Sequence, residues 1–199
     1  MIRVAIKLYN SVRKRLRYAA FRINSRKCRV EVAGKIWMKV PLRCDGCGRV
    51  SLDHRVTIGH PPAPIFGDGM VRLQTRLEDA VIEVGCGTFL SNNVQVIAES
   101  HISIGAGCLV GDGVLIMDSD AHDLSAAGRQ AGRPSAAPVV IMTAPVVIED
   151  NVFVGSRVII LKGVTIGKDS VIGAGSVVVR SIPPGVIAAG NPAKVIRPL

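Results

Sequence analysis

From Ile148 onward a branched aliphatic residue returns at every sixth position: Ile148, Val154, Ile160, Ile166, Ile172 and Val178. Several are followed by glycine, at Gly155, Gly167 and Gly173, and the fourth residue on is Val152, Val158, Val164, Ser170 or Ser176. A period of six matches neither the helical repeat nor the simple alternation of an open sheet. It fits a coil of three short flat strands, about eighteen residues per turn, with one aliphatic side chain per strand sent inward. One such coil cannot bury its apolar face alone. Coils stacked at roughly 4.8 Å share backbone hydrogen bonds and bury a continuous column. The position after each aliphatic residue is small because it sits at a bend where space is limited and where glycine accepts conformations costly for other residues.

The rhythm extends upstream. Val84, Leu90 and Val96 form one set, and Ile104, Val110 and Ile116 form another displaced by two residues, so a two-residue insertion is expected at one corner between Val96 and Ile104. Residues 30–83 read as irregular early coils, with Leu52-Asp53 and Ile58-Gly59 in register, interrupted by His60-Pro61-Pro62-Ala63-Pro64. Residues 119–145, rich in Ala, Gly, Pro and Ser, form a long insertion, and Ile182-Pro183-Pro184-Gly185 stops the column. The chain thus divides into an appendage (1–29), a coiled body (30–182) and a C-terminal tail (183–199) in which Val195 and Ile196 belong to a short strand or tail. Composition agrees: 48% of residues are hydrophobic but only 4% are aromatic, so the apolar mass is largely aliphatic and suited to strands.

The net charge of +10 is concentrated at the N-terminus. Residues 1–30 carry ten basic side chains and no acid, and the remainder is balanced at 15 of each sign. Ile2, Ile6, Tyr9, Val12, Leu16, Ala19 and Ile23 recur at helical steps between the arginines and lysines, predicting a basic amphipathic helix. Such a helix suits an anionic membrane surface or packing on a neighbouring subunit; no recognition module for nucleic acid accompanies it. No apolar run approaches a membrane span, and no secretory signal core is evident. Five cysteines at irregular spacing (Cys28, Cys44, Cys47, Cys86 and Cys108) do not form a disulfide framework, and a reducing cytoplasm is the simpler expectation. Cys44-Asp-Gly-Cys47 is a lone CxxC; with Cys28 and His54 it could hold zinc, but no second pair supports it and no metal is expected. Cys86 and Cys108 occupy positions suited to small buried residues.

Three stretches carry a specific resemblance: Ile116 to Asp123, Ala144 to Ser156, and Ile166 through Ile182-Pro183-Pro184-Gly185-Val186-Ile187-Ala188-Ala189-Gly190-Asn191-Pro192-Ala193-Lys194-Val195-Ile196-Arg197. From Val84 to Leu199 the chain resembles the hexapeptide-repeat O-acetyltransferases, the group holding galactoside, maltose and colanic-acid acetyltransferases. The resemblance implies an all-β fold, a left-handed parallel β-helix, with acetyl-CoA as co-substrate and a homotrimer with active sites at subunit clefts. It implies direct transfer of an acetyl group to a sugar hydroxyl without a covalent enzyme intermediate.

His122 is the candidate general base, because an alcohol attacks a thioester poorly until its proton is taken, and an imidazole suits that task. Asp120 or Asp123 could orient the ring. The resemblance assigns Gly155 and Ser156 to stabilisation of the developing oxyanion, Ser156 and Ala174 to the pantetheine arm, and Arg180, Lys194 and Arg197 to the phosphates of CoA. The acceptor-binding Asn-x-Asn element of the family falls on Ser91-Asn92-Asn93, where Ser91 replaces the first Asn. Asn92 or Asn93 could therefore bond sugar hydroxyls, or serve a left-handed corner. Arg129 and Arg133 could touch an acidic sugar. His54, His60 and His101 read as structural or exposed. The expected acceptor is a hydroxyl of a surface polysaccharide or its precursor. N-acetylation of an amino sugar nucleotide, or a non-catalytic β-helix that binds carbohydrate, stand as alternatives.

Overall fold

The computed structural model describes residues 28–60, 69–131 and 142–199, together with Val12, Arg15, Leu16 and Phe21. Strands follow one another in sets of three. The first coil holds β1 (Arg29–Val32), β2 (Trp37–Met38) and β3 (Leu42–Gly46); the second β4 (Arg49–Leu52), β5 (Thr57–Ile58) and β6 (Val71–Thr75); the third β7 (Val81–Val84), β8 (Phe89–Leu90) and β9 (Gln95–Ala98). The fourth holds β10 (His101–Ile104), β11 (Leu109–Val110) and β12 (Leu115–Met117); the fifth β13 (Val146–Ile148), β14 (Phe153–Val154) and β15 (Ile159–Ile160); the sixth β16 (Thr165–Ile166), β17 (Val171–Ile172) and β18 (Val177–Val178). First strands stack as one parallel sheet, second strands as another and third strands as the last. The result is a three-faced column of parallel coils, the architecture that the six-residue period predicts.

The sixfold positions form its axis. Ile148, Val154, Ile160, Ile166, Ile172 and Val178 are all buried, as are Val84, Leu90, Val96, Ile104, Val110 and Ile116. Inward traffic is heavier than one residue per strand, however: Val152, Val158, Val164, Ser170 and Ser176, each two positions earlier, are buried too. The change from valine to serine has a local cause. Ser170 Oγ donates to Pro183 O at 2.8 Å and accepts from Val186 N at 3.3 Å, and Ser176 Oγ accepts from Gly190 N at 3.1 Å. These hydroxyls tie the C-terminal segment to the last coil. That segment is an ordered hairpin: β19 (Val186–Gly190) lies parallel to β17, and β20 (Ala193–Pro198) returns antiparallel beside it.

Two kinds of glycine make the corners. A Cβ on Gly155 would stand 2.6 Å from the amide nitrogen of Ala174 on the next coil, so the small residue after each aliphatic is required by close approach. Gly175, with φ of +72° and open space around its Cα, is required by backbone conformation alone.

Register confirms the expected corner insertion. Val84 pairs with Ile104, twenty residues on, whereas Val154 pairs with Ile172, eighteen on. The surplus is Glu99-Ser100, between β9 and β10. The early coils are irregular as expected: Leu52 pairs with Val84, thirty-two residues on. Residues 61–68, which hold most of the His60–Pro64 interruption, lie outside the described residues.

Most of the expected N-terminal helix also lies outside them; Val12, Arg15, Leu16 and Phe21 have helical backbone, and Phe21 packs against the core cluster. Among the described residues the one complete helix is α1 (Ala126–Ala131), and no helix is long and apolar enough to cross a membrane. Cys108 is fully buried, and its burial pushes the thiol pKa up. Cys86 is only half-buried, in contrast to the expectation, because it falls on the outward turn of a corner, two residues before the inward Thr88.

Candidate active site

The long insertion leaves the column after β12 and returns before β13. Its neck is antiparallel: Ser119 bridges Thr143, Asp120 N donates to Met142 O at 3.1 Å, and Ala144 N donates to Asp118 O at 2.9 Å.

Asp118, at the root, is fully buried. Its two carboxylate oxygens accept the amide hydrogens of Glu99 and Ser100, each at 2.8 Å. Those two residues are the corner surplus, so the insertion's root and the two-residue expansion of the preceding coil stabilise one another. Burial raises the Asp118 pKa above the ordinary carboxylate value, opposed by the two amide hydrogen bonds. Beside it, the nearly buried carboxylate of Glu99 pairs with Arg76 at 2.9 Å.

Asp120 anchors the next step. Its Oδ1 accepts from Lys162 Nζ at 2.6 Å, across the insertion to the corner after β15. Its Oδ2 is buried without a hydrogen-bond partner among the described residues, and so is Ser119 Oγ. A buried carboxylate oxygen left open calls for a partner. Ala121 then takes φ of +60°. The other non-glycine residues in this region of backbone space (Arg55, Asn93, Asn151, Arg157 and Asp169) lie three positions after an inward aliphatic, at coil corners. Ala121 lies off that register and immediately before His122.

His122 is exposed and carries no hydrogen bond among the described residues. Asp123 serves the start of α1: its Oδ1 accepts from Ser125 N at 2.7 Å, and Ser125 Oγ accepts from Gly128 N at 3.0 Å. Asp123 thus serves the helix start, and Asp120 the ion pair with Lys162. Arg129 is exposed on α1, its guanidinium donating to Leu124 O; Arg133 lies outside the described residues.

Three of the remaining candidates, Asn92, Ser156 and Ala174, line up along one corner. Leu90, Val110, Val154 and Ile172 are in register, which places Asn92, Asp112, Ser156 and Ala174 in a column between the second and third faces. Ser156 and Ala174 are exposed. Gly155 N donates to Ile172 O at 2.8 Å, so this amide is committed to the sheet and cannot also serve an oxyanion, whereas Ser156 donates no hydrogen bond among the described residues. Asn92 is nearly buried, its amide bonding both Nδ2 to His60 O (3.1 Å) and His60 N to Oδ1 (2.9 Å). That pair of bonds holds the His60 segment in place. Asn93 takes the left-handed corner, with φ of +59°. Beside the column a groove of about 260 Å³ is lined by Phe89, Leu109, Phe153, Gly111, Asp112 and Ser156. Arg180 follows β18, and Lys194 and Arg197 lie on β20; all three are exposed at the C-terminal end.

Among the described residues no three His, Cys, Asp or Glu side chains converge as metal ligands. Cys44 is buried in the core and Cys47 is exposed, its Sγ donating to Arg76 O at 3.2 Å.

Residues 145–180 match the hexapeptide repeat of succinyl-transferase. The chain is 36% identical over 116 residues to a galactoside O-acetyltransferase of Escherichia coli, covering 58% of this chain and 53% of that protein. It is 57% identical over 53 residues to a 2,3,4,5-tetrahydropyridine-2,6-dicarboxylate N-acetyltransferase of Clostridium perfringens, covering 27% of this chain and 22% of that protein. Its structure is similar to that of a hexapeptide-repeat acetyltransferase from Vibrio cholerae complexed with acetyl coenzyme A, with a TM-score of 0.57 and 26% identity over 96% of this chain and 78% of the other. The chain spans at most about half the length of the curated relatives named here.

Proposed function

We propose that this chain is an acetyl-CoA-dependent acetyltransferase that transfers to a sugar hydroxyl, with His122 as general base. The observation that carries the proposal is the construction of the insertion's root. Buried Asp118 and the Asp120–Lys162 pair hold the backbone from which His122 projects, exposed and without a hydrogen bond among the described residues. The similarity to acetyltransferases of the hexapeptide-repeat kind supports the same reading.

Acetyl-CoA, when bound, supplies an acyl group activated as a thioester. The exposed corner at Ser156 and Ala174 and its neighbouring groove fit an extended, amide-bearing arm, and Arg180, Lys194 and Arg197 are the cations for its phosphates. His122 takes the proton of the attacking hydroxyl and returns it to the departing thiolate. Asp120, held by Lys162 at the root of the insertion, positions the backbone that carries His122. The Ser156 amide donates to the carbonyl oxygen as charge develops there. Asn93 and Arg129 are the remaining side chains assigned to the acceptor. Holding both reactants in one cleft supplies much of the acceleration.

The winding is left-handed in this proposal, and the working form is a homotrimer with clefts between subunits. The basic segment 1–27, on this reading, seats the enzyme on the anionic cytoplasmic face of a membrane, near a surface polysaccharide or its precursor. N-acetylation is a second reading, favoured by the 57% identity to an N-acetyltransferase. An amine needs less help from a base.

The test is an acceptor screen with acetyl-CoA, read by mass spectrometry, on the wild-type protein and His122→Ala. The variant should still bind acetyl-CoA while transfer to sugar hydroxyls falls roughly 10²–10⁴-fold. A modest loss with an amino sugar as acceptor favours the second reading. Failure of the wild-type protein to bind acetyl-CoA at millimolar concentration overturns both and leaves a scaffold.

A further inference from the structure

We propose that Cys86, His54 and Asp53 form a reactive thiol site that exchanges with low-molecular-weight disulfides. The three residues come from corners of two successive coils between the first and second faces, where Leu52 pairs with Val84. Cys86 Sγ lies 3.0 Å from His54 Nε2, and His54 Nδ1 lies 2.9 Å from Asp53 Oδ1. The groups stand in series: nucleophile, base, and a carboxylate that orients the base. With Nδ1–H donated to Asp53, the tautomer leaves Nε2 as an acceptor for the thiol proton. The same carboxylate accepts the His54 backbone amide at 2.6 Å, and these two bonds hold the Asp53 pKa below the ordinary carboxylate range. Asp53 therefore stays ionised and keeps the ring in this orientation.

Sequence spacing does not show this grouping, since His54 and Cys86 are thirty-two residues apart. It arises because one long, irregular coil brings the two corners into register.

Three chemistries are open to a cysteine and a histidine in contact, and the geometry separates them. A metal needs donors that converge on a point, whereas here the imidazole stands between the sulfur and the carboxylate. Acyl transfer through the thiol needs amides aimed at a developing oxyanion. The two amides that follow Cys86 are already committed, Gly87 N to His54 O at 3.0 Å and Thr88 N to Gly85 O at 3.3 Å. Disulfide exchange needs neither, only an accessible sulfur and somewhere for its proton to go. Cys86 is half-buried, and the flanking corner is open: a Cβ placed on Gly87 or Gly107 would meet nothing within 4 Å. A groove of about 440 Å³ on the first face is lined by Asp53 and Gly85 but by neither Cys86 nor His54, so a small disulfide meets the sulfur at the open corner itself.

As the Cys86 sulfur attacks, its proton passes to His54 Nε2. A new S–S bond forms between Cys86 and one half of the disulfide, while the disulfide's own S–S bond breaks. The other half leaves with the electron pair as a thiolate and takes the proton from His54. The products are the Cys86 mixed disulfide and a free small thiol; Cys86 is oxidised and the leaving half reduced.

The test treats the full chain at pH 7 with bis(2-hydroxyethyl) disulfide, an uncharged probe, and follows each cysteine by peptide mass mapping. Cys86 should acquire the adduct ahead of Cys47, which is exposed but has no imidazole beside it. His54→Gln should slow modification of Cys86 by at least about tenfold, a lower bound for loss of a general base, and leave Cys47 unchanged. Asp53→Asn should give a smaller slowing at Cys86 alone. Equal rates at Cys86 and Cys47, no adduct at Cys86, or a Cys86 rate indifferent to His54→Gln would each overturn the proposal. Acetyl transfer is not part of the readout, so the result stands apart from the fate of His122.

Discussion

The fifth and sixth coils and the corner from which the insertion springs are held by different physics. Between β13 and β18 the column repeats every eighteen residues, and its inward positions are largely aliphatic. Stability there comes from burial spread evenly along an axis. At the insertion's root the repeat is broken, and the interior holds charge: Asp118 on two backbone amides, Glu99 on Arg76, Asp120 on Lys162. Regular coils need no specific partner, because any branched aliphatic of similar volume fills the column. The irregular corner requires particular pairs, because a buried polar group without its partner costs far more than the pair contributes. The two regions also differ in what they present. The regular coils show a repetitive surface, and the irregular corner projects His122.

The widest gap in that contrast is tested by cutting into the column. Ile160→Ala removes a fully buried side chain, and its loss should cost about 3–4 kcal/mol in chemical denaturation. Asp118→Ala should cost less, about 2–3 kcal/mol, by leaving the Glu99 and Ser100 amides unpaired. If Asp118→Ala proves neutral at pH 7, the corner is not held by its polar pairs and the contrast is broken.

The pH dependence sharpens the same point. A carboxyl whose folded pKa is raised binds its proton more tightly in the folded state. Its contribution is complete below the ordinary carboxylate pKa and is lost as pH rises through the folded value. The stability difference between wild type and Asp118→Ala should therefore narrow as pH rises through that window, measured by denaturant midpoints at a series of pH values. Widening would mean that the amide hydrogen bonds outweigh desolvation. The smallest effect on stability belongs to Lys162→Met, about 1–2 kcal/mol, because the half-buried Asp120 carboxylate loses its cation but keeps some solvent. If Asp120 positions His122, this variant should nonetheless lose about tenfold in kcat with KM little changed, and Lys162→Arg should restore most of it. An equal loss in KM would assign Lys162 to binding.

Much of the column was legible because its code is local. Aliphatic residues at a fixed step name the inward positions, and the displacement between Val96 and Ile104 marks a two-residue surplus at that corner, which the register assigns to Glu99-Ser100. The ends of the insertion were legible where the step failed. Pairings between coils were not. Asp120 and Lys162 are forty-two residues apart, across an insertion whose length sets which corners meet. The same reason hid the partner of His54, and it hid the fact that Gly155 commits its amide to the sheet while Ser156 does not. Asn92 was read as an acceptor contact because the residue type matched, yet its amide holds the His60 backbone. Composition could not distinguish those uses.

The final hairpin has a consequence for assembly. A stack of parallel rungs offers, at its last rung, an unsatisfied edge onto which another such stack could add without limit. Here the outermost strand of the second sheet, β20, runs against the direction of all the others. A second molecule arriving end-on would find an edge of the wrong polarity to extend the parallel ladder, and end-to-end polymerisation at this terminus is thereby discouraged.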